Sequence, residues 1–133
     1  MNTILILHGW GGSPKSWLKV REILENQGYK VFTPGFPGFG ITPEPVQPWS
    51  VDDYVNWVKE YTDDLRARGE FQEPFFLLGQ SFGGRVAVKF ASRYHQKLKG
   101  LILVDAAGVD RDKTLGLNQK IILGLMRLKH FVT

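Results

Sequence analysis

The chain has 133 residues, room for one domain with a core of its own but not comfortably for two. Hydrophobic residues make up 43% and charged residues 23%, an ordinary globular balance that excludes disorder along most of the chain. The 17 Lys and Arg exceed the 13 Asp and Glu by a net charge of +4, spread along the sequence and hinting at a stripe only near its end, so no nucleic-acid partner is expected.

Cysteine is absent, which excludes disulfides, thiolate metal sites and a cysteine nucleophile, and fits a reducing compartment. The apolar stretch Ile4 to Leu7 is too short for the core of a signal peptide and has no basic segment before it. No stretch approaches membrane-spanning length, so no integral membrane contact is expected. The expectation is a soluble cytoplasmic protein.

Thr3 to Leu7 is a β-branched and leucine run stopped by glycines, the pattern of a strand buried on both faces. Ser13 and Pro14 then provide an N-cap and a proline suited to a first helical turn. Trp17, Val20 and Leu24 mark one face of that helix, and Gly28 ends it. Lys30 to Phe32 reads as a short second strand, followed by a Pro- and Gly-rich loop over 33–49. Ser50 and Asp53 have the spacing of a capping box, with Asp in place of the usual Glu or Gln. The helix they open carries Val51, Tyr54, Val55, Val58 and Leu65 on one stripe, and Gly69 closes it. Phe75 to Leu78 is a third strand. Val86, Ala87, Phe90 and Tyr94 recur at helical spacing, and Leu101 to Val104 is a fourth buried strand. Residues 114–130 read as helical again, with Leu117, Ile121, Leu125 and Leu128 on one side.

Strand and helix thus alternate four times over short connections. That order predicts an α/β fold: a parallel sheet with helices on both faces. Ligands in such sheets bind beyond the carboxyl ends of the strands, where His8, Ser81 and Asp105 all fall. There is no internal repeat, low-complexity segment or interdomain linker, so 1–133 is read as a single domain.

Gly79-Gln80-Ser81-Phe82-Gly83 follows a strand and opens a helix. A serine on such a turn is held in a strained conformation that aims its hydroxyl away from the sheet. Side chains two positions to either side would collide, which requires glycine at 79 and 83. The helix N-terminus favours a developing oxyanion at the same point. The alternative is a glycine-rich turn whose serine merely caps the helix, but a cap does not require both glycines. Acyl transfer needs two backbone N–H groups to hold the oxyanion. Phe82, the residue after the serine, is expected to give one, and Trp10 in the His8-Gly9-Trp10-Gly11-Gly12 loop the other. His8 itself is expected to be structural, fixed by the loop backbone.

Three segments in order, LHGWGG (7–12), PGFPGFG (34–40) and LLGQSFGG (77–84), resemble the N-terminal part of the α/β-hydrolase superfamily. LILVDAAG (101–108) is similar to the strand that follows the nucleophile helix. The resemblance implies a truncated or minimal α/β-hydrolase fold. It covers esterases, lipases, C–C hydrolases, dehalogenases and lactonases, and does not fix a substrate. Two departures stand out. Gln80 occupies a position where many members have histidine. Members also run considerably longer, carrying further strands, a cap, the triad histidine and usually its acid. Residues 113–133 resemble the start of a cap helix.

A serine needs a base, and the base a carboxylate, in the order Ser, acid, His. After Ser81 only His95 and His130 remain. His95 lies about thirteen residues along the helix, roughly 20 Å away at the helical rise per residue, and is expected on the surface. His130 is the candidate base, and Asp105, or else Asp110, the candidate acid. Against a miniature triad of Ser81, Asp105 and His130 stands a fragment in which Asp105 is structural and His130 solvated, the favoured reading for His130. Trp10, Phe36, Phe39 and Trp49 are candidates to line an apolar pocket, or simply to pack loops.

The expected function is a serine esterase acting on a small ester, thioester or lactone, with no metal or organic cofactor. The alternatives are a catalytically incomplete hydrolase-like module that binds a ligand or partner, and an assembly in which a second chain completes the sheet. The apolar stretch 114–131 is a candidate surface for self-association.

Overall fold

The computed structural model describes residues 1–9, 12–39 and 44–105. In chain order it contains β1 (Thr3–Leu7), a 3-10 turn (Pro14–Trp17), α1 (Leu18–Asn26), β2 (Lys30–Phe32) and α2 (Val51–Ala67). There follow β3 (Phe75–Gln80), α3 (Phe82–Tyr94), a second 3-10 turn (His95–Lys97) and β4 (Leu98–Val104). The four strands form one parallel sheet in the order β2-β1-β3-β4. The expected α/β class is therefore present. The cap-like segment 113–133 and the candidate self-association stretch 114–131 lie outside the described residues.

Alternation along the strands divides the core into two layers, as a sheet covered on both faces requires. Leu5, Leu7, Phe75, Leu77 and Leu101 pack with Val55, Val58 and Leu65 of α2 and Val86, Ala87 and Phe90 of α3. Ile4, Ile6, Val31, Leu78 and Ile102 pack on the other face with Trp17 and the partly buried Leu24. Every residue of β1 is buried, which is why its sequence shows no alternation of apolar and polar positions.

Two local features differ from expectation. Trp17 is buried and Leu24 half-buried, but Val20 is 37% exposed. Pro14 opens a 3-10 turn rather than α1, and its tighter winding shifts the phase of the stripe before the α-helix begins. Ser13 is extended and makes no side-chain cap there. Strand β4 begins at Leu98 rather than Leu101, joined to β3 through a register irregularity between Phe75 and Phe76. Asp53, by contrast, serves fully in the capping box of α2. Its backbone N–H donates to Ser50 Oγ (3.3 Å), and its carboxylate accepts from the Ser50 N–H (2.8 Å).

The strand order places a site. After β1 the chain turns towards β2, and after β3 it turns the opposite way, towards β4. The crevice where neighbouring strands diverge lies between the carboxyl ends of β1 and β3, where parallel sheets bind ligands. Leu7 pairs with Gly79, and Gln80 with Val104. Continuing that register sets Gly9, Ser81 and Asp105 in one row across the sheet edge. Among the described residues, no helix is long and apolar enough to cross a membrane.

Candidate active site

Ser81 links the end of β3 to the start of α3 with φ 51° and ψ −116°, a backbone region that L side chains rarely occupy. Holding a non-glycine residue there costs about 1–3 kcal/mol and persists only where its surroundings impose it. The surroundings are visible. The Ser81 N–H donates to the Val104 carbonyl of β4 (3.1 Å), and the Ser81 carbonyl accepts from the Arg85 N–H in the first turn of α3 (3.2 Å). A Cβ on Gly79 would come within 2.7 Å of the Gly83 carbonyl carbon and the Gly84 Cα. One on Gly83 would lie 2.5 Å from the His8 carbonyl oxygen and 2.7 Å from the Leu7 carbonyl carbon. Both glycines are thus required by close backbone approach. The Ser81 side chain makes no capping hydrogen bond to α3, so a capping role does not account for the serine. It stands half-buried at the N-terminus of a thirteen-residue helix, where backbone dipoles favour negative charge.

Phe82 starts α3, which places its backbone directly beside the serine. Its ring stacks on Phe39 (centroids 5.9 Å apart, 20° between planes) and meets Tyr54 edge-on at 5.2 Å. Phe36, 1% exposed, is the hub of this cluster, touching the rings of His8, Phe39, Tyr54, Trp57 and Phe82. Trp49 packs edge-on against Tyr54 at 5.1 Å. Of the four aromatics expected near the strand ends, Phe36, Phe39 and Trp49 therefore pack into or against the core. Trp10 lies outside the described residues. Its neighbour Gly9 is buried against the nucleophile turn, where an added Cβ would stand 3.1 Å from the Ser81 Cβ and 3.3 Å from the Gln80 carbonyl oxygen.

His8 is 1% exposed and both ring nitrogens are engaged. Nδ1 lies 3.0 Å from the Gly9 carbonyl oxygen, and Nε2 lies 2.9 Å from the Phe36 backbone nitrogen. A carbonyl only accepts and an amide N–H only donates, so the proton resides on Nδ1 and the Nε2 lone pair is taken. Burial holds its pKa below the usual histidine value, opposed in part by the Gly9 hydrogen bond. The ring is neutral and fully committed, which is the structural role expected of it.

Asp105 is exposed at the first position beyond β4, with φ 49°. It follows Val104, whose carbonyl accepts from the Ser81 N–H. His95 is exposed and lies past the last turn of α3, the length of that helix from Ser81. Asp110 and His130 lie outside the described residues. Among the described residues no three His, Asp or Glu side chains converge as metal ligands. The sequence reading missed Tyr54 at the site: its hydroxyl donates to the Pro37 carbonyl (3.1 Å) and its ring supports Phe82, but its helical spacing marks it only as core.

A strained serine between a parallel strand and a helix, at the point where the sheet reverses its winding, is a fold-level signature. The family model for the alpha/beta hydrolase fold matches residues 2–127. The chain belongs to the α/β-hydrolase fold family. Lipase 3 of Moraxella sp. is 30% identical over 106 residues, 79% of this chain and 32% of the lipase. An uncharacterised protein of Mycobacterium tuberculosis is 34% identical over 109 residues, 82% of this chain and 30% of the relative. The crystal structure of a monoacylglycerol lipase from Paleococcus ferrophilus superposes with a TM-score of 0.69 at 24% identity, over 81% of this chain and 40% of that one. At that identity the superposition speaks for the α/β-hydrolase fold alone. The chain spans about a third of the length of the curated relatives it matches.

Proposed function

We propose that this α/β-hydrolase chain carries the nucleophile half of a serine esterase, acting on a small ester, thioester or lactone through an acyl-enzyme at Ser81. The backbone of Ser81 carries this reading. A conformation costing stability, imposed by two glycines that admit no side chain, has a use when the hydroxyl must be presented at the sheet edge. In this scheme a base removes the Ser81 proton as Oγ attacks the substrate carbonyl. The negative charge on the carbonyl oxygen is held by the Phe82 and Trp10 N–H groups. The leaving alcohol takes the proton, and water then adds to the acyl-enzyme to release the carboxylic acid and restore Ser81. Asp105 is the proposed acid, supported by its place beside the Val104–Ser81 hydrogen bond. His130 stays the candidate base.

A second reading, a hydrolase-like module that binds a ligand or a partner chain without turnover, is favoured by one observation. Among the described residues no histidine is available to Ser81, since His8 has both nitrogens engaged and His95 lies at the far end of α3. Hydrolysis of p-nitrophenyl acetate by the wild type and by Ser81→Ala separates the two. Turnover abolished by Ser81→Ala supports the esterase. Equal inactivity of both folded proteins supports the binding module.

A further inference from the structure

Helix α3 opens with Phe82, Gly83 and Gly84, so Phe82 carries the one side chain of its first three residues. The close backbone contacts of Gly79 and Gly83 set how near α3 comes to the sheet. Glycines cannot set how the first turn is rotated about the helix axis, because rotation is held by side chains that pack. That task falls to the Phe82 ring, which is held on three sides. Phe39 stacks on it face to face, Phe36 meets it at 5.8 Å and 73°, and Tyr54 at 5.2 Å and 86°. Phe36 and Phe39 come from a loop, whereas Tyr54 comes from α2 and is itself fixed. It is 8% exposed, its hydroxyl donates to the Pro37 carbonyl at 3.1 Å, and Trp49 packs against its ring at 5.1 Å. Tyr54 therefore ties α2 and the loop at Phe36–Phe39 to the turn that follows Ser81.

We propose that Tyr54 is a positioning residue that, through the Phe82 ring, sets the aim of the Phe82 N–H at the oxyanion formed when Ser81 attacks. It touches neither the substrate nor the reacting atoms. Its ring carries the effect, and its hydroxyl holds that ring against the loop. The inference rests on the reading of Ser81 as nucleophile, and it adds a requirement on α2 that the serine and its glycines do not impose.

The test is the rate at which a fluorophosphonate labels Ser81 in wild type, Tyr54→Phe, Tyr54→Leu, Phe82→Ala and the Tyr54→Leu/Phe82→Ala double variant. Urea denaturation reports the folded fraction of each. Phe82→Ala keeps the backbone N–H and removes the ring through which Tyr54 acts. The expected loss is roughly 10- to 100-fold for Tyr54→Leu and for Phe82→Ala, the size of effect when an oxyanion donor is misaimed. Tyr54→Phe, which keeps the ring, retains most of the rate. The double variant loses no more than the worse single variant, because both break one link. Equal labelling of wild type and Tyr54→Leu overturns the inference. So do losses that multiply in the double variant, or a loss that only tracks the folded fraction. Where Tyr54→Leu fails to fold, Phe39→Leu removes the ring stacked on Phe82 instead. A reduced rate there that Phe82→Ala does not worsen upholds the inference, and an unchanged rate overturns it. A folded wild type that takes no label refutes the nucleophile reading and the inference with it. A labelled wild type matched by every ring variant refutes the inference alone.

Discussion

Replacing Gly83 by alanine tests the packing that creates the nucleophile turn. Gly83 lies in the first turn of α3, and helix propensity alone favours alanine there by about 1 kcal/mol. The contacts predict the opposite sign. The new Cβ would lie 2.5 Å from the His8 carbonyl oxygen and 2.7 Å from the Leu7 carbonyl carbon, against ordinary contacts of about 3.5–4 Å. Both atoms belong to the backbone at the end of β1, which pairs with β2 and β3 and cannot rotate aside. Helix and strand must separate by about 1 Å in a close-packed joint, at the upper end of the 1–3 kcal/mol typical of overpacking. We expect Gly83→Ala to lose about 3 kcal/mol in urea denaturation and roughly 10 °C in Tm. Gly28→Ala is the control, since an added Cβ there meets nothing within 4 Å and only the positive φ opposes it, at about 1–2 kcal/mol. A Gly83→Ala protein as stable as wild type, or more stable, would refute the close approach of β1 and α3.

Ser81→Gly relieves the backbone strain at the nucleophile and should stabilise the fold by about 1–2 kcal/mol in urea denaturation; unchanged or reduced stability would mean that the turn is not strained. Ser50→Ala removes half of the capping box of α2 and should cost about 1 kcal/mol, read as a fall of a few degrees in Tm. Acid should act on the fold through His8. Its folded pKa is lowered, so the unfolded chain binds the proton more readily. The associated stability is fully present above an unfolded value of about 6.5 and is lost as the pH falls from there through the lowered folded value. The urea midpoint should therefore drop between about pH 7 and pH 5 more steeply in wild type than in His8→Asn. Equal pH dependence would show that the ring does not titrate out of this environment.

What was legible in the sequence follows from how local its cause is. The TILIL run reads as a doubly buried strand and the Ser50–Asp53 spacing as a helix start, and both are found, because each is decided within a few residues. The nucleophile turn was legible for the same reason: Gly79 and Gly83 carry a steric requirement that acts over four positions, even though the atoms meeting Gly83 come from β1. Tertiary contacts were not legible. Val20 falls on the helical stripe by spacing, and its exposure depends on a 3-10 turn whose different pitch the periodicity does not reveal. The bond from the Phe36 N–H to His8 spans 28 residues and involves a backbone group that every residue but proline possesses. The Val104 carbonyl that holds Ser81 is equally anonymous in sequence. Asp105 shows the intermediate case. Its place at a strand end was readable, but the positive φ and the link to the serine through Val104 required coordinates.

Peptide mass spectrometry after treatment with a fluorophosphonate tests whether Ser81 is a presented nucleophile. One adduct is expected, in which the Ser81 oxygen has displaced fluoride from phosphorus, absent from Ser81→Ala. A folded wild type that takes no adduct, or an adduct that persists in Ser81→Ala, would contradict it.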